Sequence, residues 1–197
     1  MDRNDIGRTP AEYGILHDRD IEWLAYELDA ILPFDRKYLQ PASYDLHLSN
    51  SVVINETIGR NPFIQPYDGT GNHGIRPKEV TFHHVWSLEP HSMCLASTIE
   101  HITVPKNLCA RFEGKSTLGR YGLMTHVTAG FIDPGFSGTI TVELVNVTDY
   151  PIHLTKGMPI GQLCFQTLTG MPRRQYGEGG HYQGQDGPTV PYETFKT

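Results

Sequence analysis

A polar turn at residues 113–122, EGKSTLGRYG, has the composition of an anion-binding site. Its Gly-Lys-Ser-Thr string matches the end of the P-loop pattern G-x-x-x-x-G-K-[ST], in which backbone N–H groups hold phosphates. Cys109 stands where that pattern needs its first glycine, and the residues after it read as a strand. Ser116 and Arg120 are four residues apart, which places them on one face of a turn or short helix. The stretch therefore favours an anion pocket in a fold other than that of the P-loop nucleotide-binding proteins.

Two acidic residues follow this turn in the sequence. Residues 139–145 alternate between polar and apolar side chains, which predicts a strand with Glu143 on the face opposite the apolar residues. A carboxylate in that position is most often simply exposed to solvent, and spacing alone does not change this interpretation. Asp133 precedes a Pro-Gly pair at a tight corner that begins at Ala129. Two acids and a basic, hydroxyl-bearing turn are the components of an anionic-ligand pocket.

The ten histidines and three cysteines do not form a recognisable metal site. His83 and His84 are adjacent, so in a strand they face opposite ways. The zinc-deaminase strings H-x-E and P-C-x-x-C are missing from the sequence, as is H-E-x-x-H. Cys94, Cys109 and Cys164 lie among apolar residues without C-x-x-C spacing, which indicates buried free thiols. We therefore expect no protein-bound zinc and a reducing compartment.

Length and charge restrict the class of protein. A chain of 197 residues predicts one domain over 1–197 with a substantial core. A formal net charge of −6 argues against a nucleic-acid partner, because such proteins usually carry a basic face. No apolar run approaches the length that spans a membrane, and the N-terminus lacks the apolar region of a signal peptide. We expect a cytoplasmic protein with no membrane partner.

The pattern along the chain predicts an all-β dominated fold. Between Asp18, a candidate N-cap, and Pro33, apolar residues recur with helical spacing, which predicts one amphipathic helix over 18–31. Closely spaced short strands follow, which favour a sandwich, a jelly roll or a distorted barrel. The predicted strands cover residues 44–48, 51–56, 79–86, 92–97, 108–113, 124–128, 139–147, 151–154 and 160–168, and residues 57–78 are predicted as a loop.

The two ends of the chain have little capacity to form a core. Residues 1–14 are polar and aperiodic, which predicts a loose N-terminal arm. Residues 170–197 are rich in glycine, proline and tyrosine. We expect this segment to be either a disordered tail or a flexible flap that a ligand or a neighbouring subunit orders.

Four separated segments resemble the trimeric dCTP deaminase and dUTPase superfamily, and they occur in the family's order. They are QPASYDLHL at 40–48, EGKSTLGRYGLMTHVTAGFIDPGFSGTITVELVN at 113–146, GMPIGQLC at 157–164 and the tail around GHYQGQDGP. The second segment is the most specific, and its G-K-S-T-L-G-R and V-E-L strings resemble the deaminase branch. The resemblance implies a distorted β-barrel of jelly-roll type with a short helix near 116–121. It also implies a homotrimer whose active sites are shared between subunits, with dCTP as substrate.

The resemblance assigns roles to individual positions. Glu143 matches the acid that shuttles protons as water attacks C4 of cytosine, and Ser116 and the carbonyl of Ala129 match groups that hold that water. Arg120 matches the cation that supports Ser116, and Asp133 matches a residue beside the deoxyribose. Magnesium is expected to arrive with the triphosphate and to be held mainly by it. The turn that grips the triphosphate is matched by Lys115, Ser116 and Thr117, and the tail residues that close over the phosphates are matched by Tyr176, His181, Tyr182 and Gln185.

The corner Thr128-Ala129-Gly130-Phe131 resembles that of family members that also cleave the triphosphate, because deaminase-only members typically carry His-Arg after the alanine. We therefore expect conversion of dCTP to dUMP, diphosphate and ammonia. A deaminase that stops at dUTP and a non-catalytic trimeric nucleotide-binding regulator are the alternatives, and dUTP hydrolysis alone is a weaker fourth. His181 replaces a lysine of the family tail and Asp186 adds an acid near the phosphates, which favours weaker triphosphate binding. His47 stands where the family has arginine.

Overall fold

The computed structural model describes residues 14–65 and 71–192, so the predicted arm lies almost wholly outside the described residues. Helix α1 spans Asp18–Glu27, and His17 is its N-cap, with a ring nitrogen that accepts a hydrogen bond from the Asp20 N–H. The prediction that the helix extends to residue 31 is wrong. Asp29 adopts a positive φ of 49°, and Ile31 then enters a strand that pairs with Ile102. Neither this helix nor α2 (Ser116–Arg120) has the length and apolar character needed to cross a bilayer.

Strands far outnumber helices in the described chain, which confirms the mainly β prediction. The short helix predicted near 116–121 is confirmed as α2. Short 3-10 turns lie at Arg36–Tyr38 and Tyr176–Glu178. The strands are β1 Ile31–Leu32, β2 Leu39–Gln40, β3 Ser43–Thr57, β4 Phe63–Gln65, β5 Gly71–His73, β6 Ile75–Thr81, β7 Val85–Leu88, β8 Met93–Thr103, β9 Leu108–Gly114, β10 Leu123–Met124, β11 Phe131–Ile132, β12 Ser137–Asn146, β13 Ile152–Thr155 and β14 Pro159–Thr167.

A ten-stranded antiparallel sheet curls into half a barrel, with the order β10-β12-β8-β3-β14-β9-β11 and with β1, β2 and β6 at its sides. The strand β3 links the two parts of this sheet, because residues up to His47 pair with β14 and residues from Leu48 pair with β8 and β6. The sequence predicted two strands here. A register shift between Leu48 and Val52 bends one long strand at that point.

The alternating pattern of β12 places its apolar and polar side chains as predicted. Ile140, Val142 and Leu144 are buried, whereas Thr141 and Glu143 are only partly buried on the other face. The core between the sheet and α1 is continuous and includes large buried side chains such as Tyr44, Phe112 and Phe165. One face of β12 is thus held rigidly by the core, which fixes the direction of Glu143.

The tail lies against β12 of its own chain. Among the bonds that join Gln185 to Thr139, the Thr139 N–H donates to Gln185 O at 3.0 Å and the Gln185 side-chain amide donates to Thr139 O at 2.6 Å. Further along, Thr189 N–H donates to Thr141 Oγ1 at 3.1 Å. These bonds dock the irregular backbone of the tail beside β12. The flexibility predicted for residues 170–197 stays a prediction. Residues 193–197 lie outside the described residues.

Candidate active site

Glu143 lies on the wall of a cavity of about 380 Å³. It stands opposite Leu95 of β8, and its Oε2 accepts a hydrogen bond of 3.1 Å from the Val127 N–H. That bond joins the carboxylate to the segment that precedes the 129–133 corner. A partly buried carboxylate with one backbone N–H donor keeps further lone pairs for a water or a substrate.

The corner brings Ala129 and Asp133 to the same cavity. Gly130 is packed so closely that a Cβ there would lie 2.7 Å from the Phe112 carbonyl oxygen. The Phe112 N–H in turn donates to Gly130 O at 2.8 Å. Only glycine fits this approach, so the Ala-Gly sequence that distinguishes this corner has a direct steric cause. The aromatic ring that follows, Phe131, lines the cavity and is half exposed.

Tail residues close the other side of this cavity. Tyr176, Tyr182 and Gln185 line it, and Tyr182 N–H donates to the Tyr176 hydroxyl at 3.2 Å. Burial raises the pKa of Tyr176, so its hydroxyl stays protonated and available as a donor. The structure thus brings six of the predicted site residues to one cavity. We call this set the cavity residues: Ala129, Asp133, Glu143, Tyr176, Tyr182 and Gln185.

His181 does not line that cavity. Its ring stacks on Tyr192 at 4.1 Å, and it lines a second, open cavity of about 570 Å³ that shares Asp133 and Tyr176 with the first. Arg174 also lines this second cavity. Position 181, for which the resemblance implies a role in closing over the phosphates, is therefore occupied by a ring stacked on Tyr192 next to the shared wall.

The remaining predicted residues lie elsewhere in the chain. We call Lys115, Ser116, Thr117 and Arg120 the turn residues; among the two described ranges, neither cavity includes any of them. Ser116, Thr117 and Arg120 are exposed on α2, and Lys115 is its N-cap residue. The Lys115 ammonium lies 2.7 Å from Asp45 Oδ1 of the same chain.

Several residues that line the cavity were not predicted as site residues, and Thr141, Thr189 and Pro191 are among them. The alternation of β12 carried a signal for Thr141, because it places this side chain on the same face as Glu143. Nothing in the sequence signalled Thr189 or Pro191, since their placement follows from the tail's docking on a strand about fifty residues earlier.

The acidic side chains of the cavity offer few protein ligands for a magnesium ion. Within the described parts of the chain, no group of three or more His, Cys, Asp or Glu side chains is arranged to hold a metal ion. Asp133 and Glu143 are the acidic residues that line the first cavity. Carboxylate oxygens suit Mg²⁺, but an ion here would need most of its six ligands from water and from a bound anion.

Comparison with known proteins identifies relatives of the whole chain. The dCTP deaminase-like family matches residues 15–168. A "dCTP deaminase, dUMP-forming" from Mycolicibacterium gilvum is 46% identical over 191 residues, which cover 92% of this chain and 97% of the relative. A protein of the same name from Tropheryma whipplei is 45% identical over 182 residues, covering 89% and 91%.

A solved structure supports the same relationship. The 2'-deoxycytidine 5'-triphosphate deaminase from Agrobacterium tumefaciens matches with a TM-score of 0.62 and 25% identity over 80% of this chain. The match covers 49% of that protein, so this chain spans about half its length.

Proposed function

The chain belongs to the dCTP deaminase-like family, and on that premise we propose that it hydrolyses dCTP to dUMP, diphosphate and ammonia. The relatives at 43–46% identity are named as dUMP-forming dCTP deaminases and match nearly the whole chain. The Gly130-Phe131 corner beside the cavity agrees with the dUMP-forming reaction. The cavity is large enough for a pyrimidine ring and its sugar.

The single observation that carries the proposal is the position of Glu143. Its carboxylate lies on a cavity wall, fixed by a rigid strand and by the Val127 N–H, with Ala129 on the same wall. Deamination needs a group that takes a proton from water as oxygen bonds to C4, and then delivers protons to N3 and the departing amine. A positioned carboxylate contributes about 10²–10⁴-fold in such proton transfers.

We place the turn residues of a neighbouring copy at the open side of the cavity, in a homotrimer. Ser116 then helps to hold the attacking water, Arg120 supports Ser116, and the turn at 115–117 grips the triphosphate. The proposal is supported by half-exposed apolar side chains around the cavity mouth, which are typical of a surface that another subunit covers. These are Met93 and Phe131, which line the cavity, and Val127, whose N–H donates to Glu143.

The second reaction step uses Asp133 at the wall shared by the two cavities. A water oriented by its carboxylate attacks the α-phosphorus, the bond to the bridging oxygen breaks, and diphosphate leaves. Tyr176, Tyr182, Gln185 and His181 enclose the phosphate oxygens, whose negative charge Mg²⁺ arriving with the triphosphate would balance. Phosphoryl transfer depends mainly on such positioning and electrostatic stabilisation.

The test is a product analysis of pure protein with dCTP and Mg²⁺, sampled over time and separated by anion-exchange chromatography. We expect dUMP and diphosphate in equal amounts, without accumulation of dUTP. Persistent dUTP would identify a deaminase that lacks the second step. Unchanged dCTP, with dCTP binding retained, would identify a non-catalytic nucleotide-binding protein.

A further inference from the structure

Asp45 is a buried carboxylate to which the proposed reaction assigns no role. It lies in β3 and is 8% exposed. The Gln40 side-chain amide donates to its Oδ2 at 3.4 Å, and the Lys115 ammonium lies 2.7 Å from its Oδ1. Among the described residues Oδ1 has no hydrogen-bond donor apart from that ion pair. A buried carboxylate is costly without a compensating cation, so Lys115 is held strongly in this position.

The position of Lys115 in the chain makes this contact consequential. It connects the end of β9 to the start of α2, and its carbonyl accepts the Gly119 N–H at 3.1 Å. Asp45 belongs to the part of β3 that pairs with β14, whose other neighbour is β9. The ion pair therefore ties the junction between β9 and α2 to the rigid sheet, and the direction of Ser116 and Arg120 depends on that junction.

We propose that Asp45 is a positioning residue for the deaminase: it holds the Lys115 side chain, and the pair fixes α2 so that Ser116 and Arg120 reach the reacting water. The inference rests on the proposed function. It gives the Lys115 ammonium an anchoring role in place of a contact with the triphosphate. The grip on the phosphates is left to the rest of the turn.

The test is a double-mutant cycle on Asp45→Asn and Lys115→Met, with kcat and KM measured for dCTP. Each single variant is expected to lower kcat by about 100-fold, the cost of a small misplacement of reacting groups. The double variant should be no slower than the slower single variant, because both changes break one contact. KM should stay within about threefold of the original value, because no phosphate contact is removed. Lys115→Arg, which preserves the charge, should retain most of kcat.

A matched control is available in the Asp35–Lys37 ion pair, whose 2.6 Å contact is similar but exposed. Asp35→Asn and Lys37→Met should leave kcat and KM unchanged, because this pair of exposed side chains lies at the 3-10 helix Arg36–Tyr38 and not at the junction of β9 with α2. A tenfold or larger rise in KM for Lys115→Met with kcat preserved would overturn the inference, since Lys115 would then bind phosphate directly. The inference would also be overturned if the fold-loss of kcat in the double variant equalled the product of the two single losses.

A second readout is independent of catalysis. Hydrogen exchange at the amides of Gly119, Tyr121 and Gly122, which are bonded within and just after α2, should accelerate by the same factor in Asp45→Asn and Lys115→Met. The unfolding midpoints of both variants provide the check that the chain is folded. Unchanged exchange would contradict the anchoring role. If the original protein binds dCTP without turning it over, the proposed function fails while this measurement still decides the inference.

Discussion

The cavity residues and the turn residues differ in how the chain positions them. The cavity residues are held by contacts within one chain: Glu143 accepts from the Val127 N–H, and Gln185 is bonded to Thr139. Of the turn residues, Lys115 is anchored to Asp45, whereas Ser116 and Arg120 extend from an exposed five-residue helix. One chain thus builds a cavity that is open on one side and, separately, presents a turn that lines neither of the two cavities described above. The difference supports the proposal that each copy completes the site of another.

The largest effect is expected at the reacting group of the cavity. Glu143→Gln keeps the shape and the acceptor for the Val127 N–H but removes the base, so kcat should fall by about 10²–10⁴-fold with KM nearly unchanged. Steady-state kinetics with dCTP measures this effect. Glu79→Gln, on an exposed part of β6, is the control and should retain full activity. Normal turnover in Glu143→Gln would remove Glu143 from the reaction.

The next largest effect is expected on stability, at Gly161 in β14, the strand that pairs with the end of β9 before the turn. A Cβ at Gly161 would lie 2.1 Å from the ring of Phe112, a side chain that is 2% exposed. Gly161→Ala should therefore lower the free energy of unfolding by about 1–3 kcal/mol, as overpacking in a core does. Urea unfolding measures the change. An unaltered midpoint would show that Phe112 has another position available and that the sheet under the turn is less rigid than described.

The tail side of the cavity should respond in binding more than in stability. A Cβ at Gly138 would lie 2.9 Å from the Gln185 carbonyl oxygen, so Gly138→Ala should push the tail away from β12. We expect KM for dCTP to rise about three- to tenfold, the equivalent of one net hydrogen bond. Gly170→Ala, where an added Cβ meets nothing within 4 Å, is the matched control. Equal KM values for the two variants would show that the docked tail does not contribute to binding.

The smallest effect is expected on the reactivity of Cys94, which lies in β8 behind the cavity. Burial raises the pKa of Cys94 to about 12, and this residue stands next to the cavity-lining Leu95. Because the thiolate is the reactive form, Cys94 should not react with a disulfide reagent at pH 8 until the chain unfolds. Above pH 9.0 the folded state retains the Cys94 thiol proton, whereas the unfolded chain loses it. Cys94 therefore lowers the free energy of unfolding as pH rises from 9.0 towards 12. Fast labelling of Cys94 in the folded protein would show that the cavity wall opens.

Local patterns were sufficient to predict the features that depend on neighbouring residues in sequence. The period of two in 139–145 predicted the face that carries Glu143, and the Asp-Pro-Gly string predicted the corner at Asp133. The spacing of Ser116 and Arg120 predicted a turn or short helix that carries both side chains on one face. Each of these features is determined by backbone geometry over a few residues, which sequence reports directly.

Features that depend on distant contacts were not predictable. The helix α1 ends at Glu27 because Ile31 pairs with β8, a contact across about seventy residues that outweighs the helical spacing. The tail's docking through Gln185 and Thr189 depends on hydrogen bonds to β12, and the sequence left its order undecided. The Asp45–Lys115 contact likewise joins residues far apart in sequence. The tertiary arrangement decides all three.

The most direct test of a site shared between copies is complementation of two inactive variants. Glu143→Gln and Ser116→Ala each disable one part of every site, and the two proteins are unfolded together and refolded as a mixture. In a randomly mixed trimer a site combines one intact turn with one intact Glu143 in about one quarter of cases, so about one quarter of the original dCTP turnover should return. Each variant refolded alone is the control and should remain inactive. No recovery in the mixture, with trimers formed, would show that both parts of the site come from one chain.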